Sequence, residues 1–306
     1  MQMHRLSSGL SDRLAASGLD PEYVADVIHR TIEEDLDGGI DVTSVATVPA
    51  EQRSVVTFGA RAAGCLAGLD VAAAVVETVC GPQASTFERV KNDGDRVAKG
   101  DVVARVEAPT QLMLTAERTA LNLLCHLSGV ATATAKWVDA VAGTGAVIRD
   151  TRKTTPGLRR LEKYAVRCGG GQNHRMSLSD AALVKDNHIA AAGGVEAAFS
   201  RVRGIADGLP IEIEVDTIEQ LKVALAAGAD VVLLDNMAPA VMREAVTIAA
   251  AHRESTGHGV LLEASGGLTL ENAHVVAETG VHFISVGALT HSSPILDLGL
   301  DFQTVL

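Results

Sequence analysis

The apolar positions along this chain follow two different rhythms. From Pro21 to Glu34, Val24, Val27, Ile28 and Ile32 recur at helical spacing behind a proline suited to a first helical turn, and Gly38 and Gly39 end the pattern. Between Ser54 and Pro109, strand-like runs (54–58, 85–90 and 102–108) surround one apolar helix, 71–79. A long helical stretch over 112–142 follows, with an interruption expected at Ser128 and Gly129. After Gly145 the rhythm changes to six short β-rich runs, each followed by a helical pattern: 146–153, 182–188, 211–216, 230–236, 259–267 and 282–287. Strands alternating with helices at this spacing predict βαβ units and a parallel sheet.

Their strand portions end near 153, 185, 216, 235, 265 and 287, five of them in a charged or hydroxyl residue and the sixth in glycine. A barrel displays its catalytic groups at the C-terminal ends of every strand, whereas a doubly wound sheet gathers them at one switch point, so the pattern favours a parallel α/β barrel. The expected division is a frayed polar segment 1–20, an N-terminal α+β domain over 21–128 that also receives the tail 292–306, and a barrel domain over 129–291. The turn-rich stretch from Gly94 to Val103 resembles the hairpin of lipoyl and biotinyl carrier domains, but Thr110 stands where such a carrier would need its acceptor lysine. We read that stretch as structural.

Composition narrows the possible functions. The net charge is −12 and no Lys/Arg-rich run is present, which argues against a nucleic-acid partner. No apolar stretch approaches the roughly 20 residues needed to cross a bilayer, and the first twenty residues lack the apolar core of a secretion signal. Four cysteines without CxxC spacing or a paired histidine cluster predict free thiols in a reducing cytoplasm rather than a zinc site or disulfides.

Charge placement then points to chemistry. Arg149 to Lys185 holds nine cations against three acids, a balance of +6 that leaves −18 on the rest of the chain. Arg159, Arg160, Glu162 and Lys163 are expected to form a solvated helix face, while Arg152, Lys153, Arg175 and Lys185 fall at strand ends or beside the Gly169–Gly171 loop. Alternation along Ile211–Asp216 puts Glu212, Glu214 and Asp216 on one face, towards the barrel interior, where carboxylates need answering cations. Asp235 shares the inward face of its strand with Val231 and Leu233. Clustered cations repel one another until a polyanion arrives, and Ser265–Gly267 and Val286–Ala288 place glycines after the last strands, where backbone N–H groups can approach a phosphate. Glu214 and Asp235 suit sugar hydroxyls or Mg²⁺, the bland alternative being internal salt bridges to Lys153 or Lys185.

Together, the segments 115–119, 149–154, 169–175, 185–188, 214–216, 234–236 and 263–267 (TAERT, RDTRKT, GGGQNHR, KDNH, EVD, LDN, EASGG) resemble the quinolinate phosphoribosyltransferase family, from about residue 21 to the C-terminus. The resemblance implies transfer of a phosphoribosyl group from phosphoribosyl pyrophosphate to quinolinate with decarboxylation in NAD biosynthesis, and a requirement for Mg²⁺. It also implies an incomplete, TIM-like barrel of seven strands. Six are legible, which leaves the stretch from Asn173 to Leu183 to supply another. A homodimer follows from it as well, with Arg118 reaching the neighbouring subunit's site and further assembly left open. Arg152, His174, Arg175 and Lys185 are then expected at the quinolinate carboxylates, Lys153 at the phosphoribosyl group, and Thr151 among the substrate-binding residues. Glu214 and Asp235 would meet ribose hydroxyls or the metal, directly or through substrate or water. Ser265, Gly266, Gly267, Val286, Gly287 and Ala288 would line the phosphate, joined by His291. Lys153, Glu214 and Asp235 are the expected catalytic groups. Competing readings are a Schiff-base aldolase working through Lys185, a transferase that takes a monocarboxylate such as nicotinate, and a non-catalytic binder of a phosphorylated metabolite.

Overall fold

A computed structural model of the chain describes residues 3–206 and 208–305; Met1, Gln2, Asp207 and Leu306, which include the ends of the expected segments 1–20 and 292–306, lie outside them. The chain divides into two compact units. The first comprises the chain through Ala135, Thr155–Gly170 and the stretch from Ser292 onwards; the second comprises Lys136–Thr154 and Gly171–His291.

The chain begins with α1 (Ser8–Ala16), α2 (Pro21–Leu36), α3 (Val42–Thr47), β1 (Arg53–Ala60), β2 (Gly64–Cys65) and α4 (Leu69–Cys80). It continues through β3 (Thr86–Arg89), β4 (Arg96–Val97), β5 (Val102–Pro109) and α5 (Thr110–Ala140). The segment expected to fray instead carries α1, capped by the Ser7 hydroxyl and holding Leu10 and Leu14 fully buried. Its apolar stripe was too sparse to read as a helix against so many small polar neighbours. At α2 the sequence signals hold: Asp20 caps the amide of Glu22, Pro21 opens the helix, and Asp37 closes it at φ 45°. In the Gly94–Val103 stretch, β4 pairs with β2 rather than with β5, so it forms two separate turns and not a hairpin.

The expected break in α5 is absent. Ser128 is buried and exchanges hydrogen bonds with Ala67, accepting from its amide at 3.1 Å and donating to its carbonyl at 3.2 Å. Gly129 is required by proximity: a Cβ there would lie 2.2 Å from the Pro294 carbonyl oxygen. Both residues serve packing in the middle of a continuous helix. The C-terminal strand, β12 (Leu298–Val305), joins the antiparallel sheet of the first unit in the order β12-β1-β5-β3.

Between α5 and β12 the chain forms β6 (Val147–Arg149), α6 (Arg159–Cys168), β7 (Ala182–Val184), α7 (Asp186–Ala192), α8 (Val195–Arg203) and β8 (Ile211–Val215). There follow α9 (Ile218–Ala226), β9 (Val231–Asp235), α10 (Pro239–Thr256), β10 (Leu261–Ser265), α11 (Leu270–Ala277), β11 (Phe283–Ser285) and α12 (Ala288–His291). The six runs read from the sequence are the six strands β6 to β11, all parallel, in the order β6-β11-β10-β9-β8-β7. A further strand is reduced to a single parallel bridge, Arg149 to Gln172, just before the window in which it was expected. Register lines up the strand ends, with Asp235 opposite Ser265, Ser265 opposite Ser285 and Ser285 opposite Arg149.

The solvated face expected of α6 holds at Arg160, which is exposed, and is corrected at two positions. Lys163 and Glu162 are completely buried, and Glu162 accepts hydrogen bonds from the Thr155 amide at 3.0 Å and pairs with His126 of α5 at 2.9 Å. The whole helix belongs to the first unit, although its sequence lies between strands of the second.

Replacing Gly129 with alanine is expected to lower stability by about 1–3 kcal/mol through overpacking against the Pro294 backbone. Denaturant titration checks this, and an unshifted midpoint would show that the contact yields freely.

Candidate active site

The second unit contains a cavity of about 760 Å³ at the C-terminal ends of its strands. Thr151, Arg152 and Lys153 enter it from the loop after β6, and His174 and Arg175 from the loop after Gln172. Lys185 follows β7, Glu214 lies on β8 and Asp235 ends β9. Ser265, Gly266 and Gly267 follow β10, while Val286, Gly287, Ala288 and His291 follow β11. Every site residue expected from the sequence therefore lines this one cavity except Arg118, which is exposed on α5 in the first unit. This gathering is what parallel strands predict, because their C-terminal ends all face the same way.

The inward face of β8 behaves as its alternation indicated for two of its three acids. Glu214 accepts from the Lys185 ammonium at 2.8 Å, and Glu212 is buried beneath the cavity against His174 at 2.7 Å. Asp216 is exposed past the strand end and does not line the cavity. The salt bridge weighed as the bland alternative for Glu214 is thus present, but with 47% of the Lys185 side chain exposed it adds little stability and leaves both groups facing the cavity.

Local hydrogen bonds hold the loops. The Thr151 hydroxyl accepts from the Lys153 amide at 3.1 Å, and Thr290 donates to the Lys153 carbonyl at 2.7 Å. The Arg175 guanidinium donates to the Ala181 carbonyl at 3.0 Å. Burial and then the nearby Arg152 charge hold its pKa below the usual guanidinium value. Asn236 adopts φ 53°, donates to Asp235 at 2.7 Å and bonds through its amide to the Ser265 carbonyl at 2.8 Å. Gly266 sits against it at φ 84°, where a Cβ would come within 2.2 Å of the Asn236 Oδ1. The glycine loops are therefore shaped by close approach, and their backbone amides border the cavity.

Sequence reasoning missed Leu183, Leu233, Asn236, Glu263, Leu268 and Ser285 among the lining residues. Glu263 was accessible: the alternation applied to β8, applied equally to β10, sets Leu261, Glu263 and Ser265 on one face. Asn236 stood in the LDN segment of the family resemblance, but its left-handed backbone is announced by no local pattern.

Glu263 is fully buried and takes hydrogen bonds from Arg149 at 2.9 Å and from Ser285. Burial and the neighbouring Glu212 charge raise its pKa above the usual carboxylate range. His174, Glu212 and Glu263 lie close enough to hold an ion together, yet Arg149 and Ser285 already answer Glu263 while His174 answers Glu212. A divalent ion would add charge where cations already crowd. Glu214 and Asp235 offer the hard oxygen donors that suit Mg²⁺ and face the open cavity.

Residues 41–128 match the N-terminal domain and residues 130–301 the C-terminal domain of quinolinate phosphoribosyl transferase. The chain belongs to the quinolinate phosphoribosyltransferase family. It is 51% identical over 276 residues to the nicotinate-nucleotide pyrophosphorylase (carboxylating) of Mycobacterium leprae, covering 90% of this chain and 96% of that one. It is 39% identical over 281 residues to a probable enzyme of the same name from Methanothermobacter thermautotrophicus, covering 91% and 98%. Its fold matches the solved nicotinate-nucleotide pyrophosphorylase of Francisella tularensis with a TM-score of 0.85 at 36% identity, over 92% of this chain and 96% of that one. Within the quinolinate phosphoribosyltransferase family the two matched domains meet near residue 129, inside α5, whereas compactness divides the chain at Ala135.

Changing Gly266 to alanine is expected to displace Asn236 and reduce turnover at least about tenfold while leaving the fold intact, because the strained φ and the close contact act on the same loop. Steady-state kinetics beside a circular dichroism melt decides it; wild-type kinetics would mean the loop absorbs the methyl group.

Proposed function

We propose that the second unit binds quinolinate and phosphoribosyl pyrophosphate together and forms nicotinate mononucleotide, pyrophosphate and carbon dioxide. The observation that carries this reading is the meeting of Arg152, Lys153, Arg175 and Lys185 with Glu214 and Asp235 in one cavity, six charged side chains from five segments of the chain. Four cations suit an acceptor with two carboxylates and a donor with phosphates. Arg152 and Arg175 present planar forks that match carboxylates, aided by Lys185 and by Thr151 in the loop before them. Lys153, anchored through its backbone, faces the glycine loop at 287, where it would meet the phosphoribosyl group beside His291. The amides of Ser265–Gly267 and of Val286–Ala288 would take the phosphate.

The chemistry is electrostatic and positional. Departure of pyrophosphate leaves positive charge on the ribose, which the Glu214 and Asp235 carboxylates stabilise from the wall of the cavity. Attack by the ring nitrogen makes that nitrogen cationic. The electron pair of the adjacent carbon–carboxylate bond can then remain on the ring carbon, which takes a proton as carbon dioxide leaves. When bound, Mg²⁺ would be held by Glu214 and Asp235, directly or through water or substrate, and would neutralise charge on the pyrophosphate.

The assembly belongs to the same proposal. Arg118 is exposed on α5, and Thr115 of that helix donates to Asp41 at 3.2 Å, beside the exposed apolar side chains of Ile40, Val42 and Val45. A homodimer in which this surface serves a neighbouring subunit would account for both the apolar patch and an arginine far along the chain from the cavity loops. Four cysteines that form no disulfide support location in the cytoplasm. Separately, no helix among the described residues is long and apolar enough to cross a membrane. The aldolase reading requires a desolvated lysine, but Lys185 is half-exposed and paired with Glu214.

Release of carbon dioxide and nicotinate mononucleotide from the two substrates is the decisive assay; turnover of nicotinate without carbon dioxide would replace this reading with the monocarboxylate one, and tight binding without pyrophosphate release would favour the binding protein. Arg175→Ala is expected to raise the quinolinate KM roughly ten- to a hundredfold, the worth of one charge-assisted hydrogen bond. Mixing the Arg118→Ala and Lys153→Ala proteins should restore part of the activity in heterodimers, and no recovery would remove Arg118 from a shared site.

A further inference from the structure

A carboxylate sealed under a pocket that collects anions needs a reason to be there. Glu212 is 6% exposed, and its Oε1 has no hydrogen-bond partner among the described residues. Its other oxygen, Oε2, lies 2.7 Å from the Nε2 of His174. A buried carboxylate with one oxygen unanswered is costly, and an apolar side chain would fill the same space without that cost.

The tautomer of His174 follows from its partners. The Arg175 amide donates to the Nδ1 of His174 at 2.7 Å, so Nδ1 carries no proton. The single ring proton must then sit on Nε2, pointing at Glu212. The His174 amide is itself fixed by the fully buried Asp150 at 2.9 Å, which also takes a hydrogen bond from the Asn173 side chain at 2.6 Å. The turn that delivers the Arg175 guanidinium is thus held through its backbone at one point by Asp150 and at the next by the imidazole.

Resting on the proposed quinolinate reading, we propose that Glu212 is a positioning residue: it selects the Nε2–H tautomer of His174, whose Nδ1 then holds the Arg175 amide and aims the guanidinium into the cavity. Glu263, fastened by Arg149 and Ser285 and 3.6 Å from the same Nε2, backs the arrangement from β10. His174 thereby acts through Arg175, with both ring nitrogens engaged in the strut.

The sign of one substitution separates this role from simple electrostatics. Glu212→Leu and Glu212→Gln both remove a negative charge beneath an anion pocket, and by Coulomb's law alone both would tighten quinolinate binding. Positioning predicts the opposite for leucine, which offers no acceptor: the quinolinate KM rises about ten- to a hundredfold while kcat falls much less. Glutamine keeps an oxygen for the Nε2 proton and should bring KM back towards the wild-type value. Nitrogen NMR of histidine-labelled full-length protein, with His174→Asn to assign the signal, reads the tautomer directly and needs neither substrate nor folded Glu212 variants. A neutral ring with Nδ1 unprotonated at pH 7 is expected. An Nδ1–H tautomer, an imidazolium, or a Glu212→Leu enzyme with a lowered or unchanged KM overturns the inference. Wild-type protein that shows the expected tautomer but does not turn over quinolinate would instead overturn the substrate reading and leave the strut in place.

Discussion

Cations brought together repel, and the second unit is organised around containing that repulsion. Six parallel strands deliver their ends to one rim, and with them four cationic side chains that no isolated segment would hold in proximity. Carboxylates on the inward faces of the same strands answer them at two depths. Glu214 pairs with Lys185 at the cavity wall, and Glu263 with Arg149 below it. Glu263 is fully buried, so its charge is tied by hydrogen bonds within the protein. The upper layer is open, so its charges can exchange partners with a ligand.

Much of this was legible because it is periodic. The β-rich runs after Gly145 became β6 to β11, and the residues at their C-terminal ends became the cavity, since strand direction alone fixes which ends converge. Alternation along β8 separated Glu212 and Glu214 from Ile213 and Val215 before any contact was known. The family motifs added Arg118, which has no local signature: an exposed arginine on a long helix looks like any other.

What escaped the sequence was settled by contacts distant along the chain. Ser128 and Gly129 look like a helix break until the Ala67 and Pro294 backbones are placed beside them. Glu162 and Lys163 look solvated until His126 and the Thr155 amide are found against the glutamate. The further strand was sought after Asn173, but a single bridge at Gln172 is too short to leave any hydrophobic pattern. In each case local propensity was overruled by a partner that only the completed fold supplies.

The path of α6 bears on how the chain folds. The chain leaves the parallel sheet after Thr154, contributes a helix to the other unit, returns at Gly171, and at the end goes back to pair β12 with β1. No single cut yields two self-contained halves, and the first and last strands must find each other across nearly the whole chain. The sheet of the first unit is therefore completed only by the last strand to be made, and that long-range pairing ties the folding of the chain's two ends together.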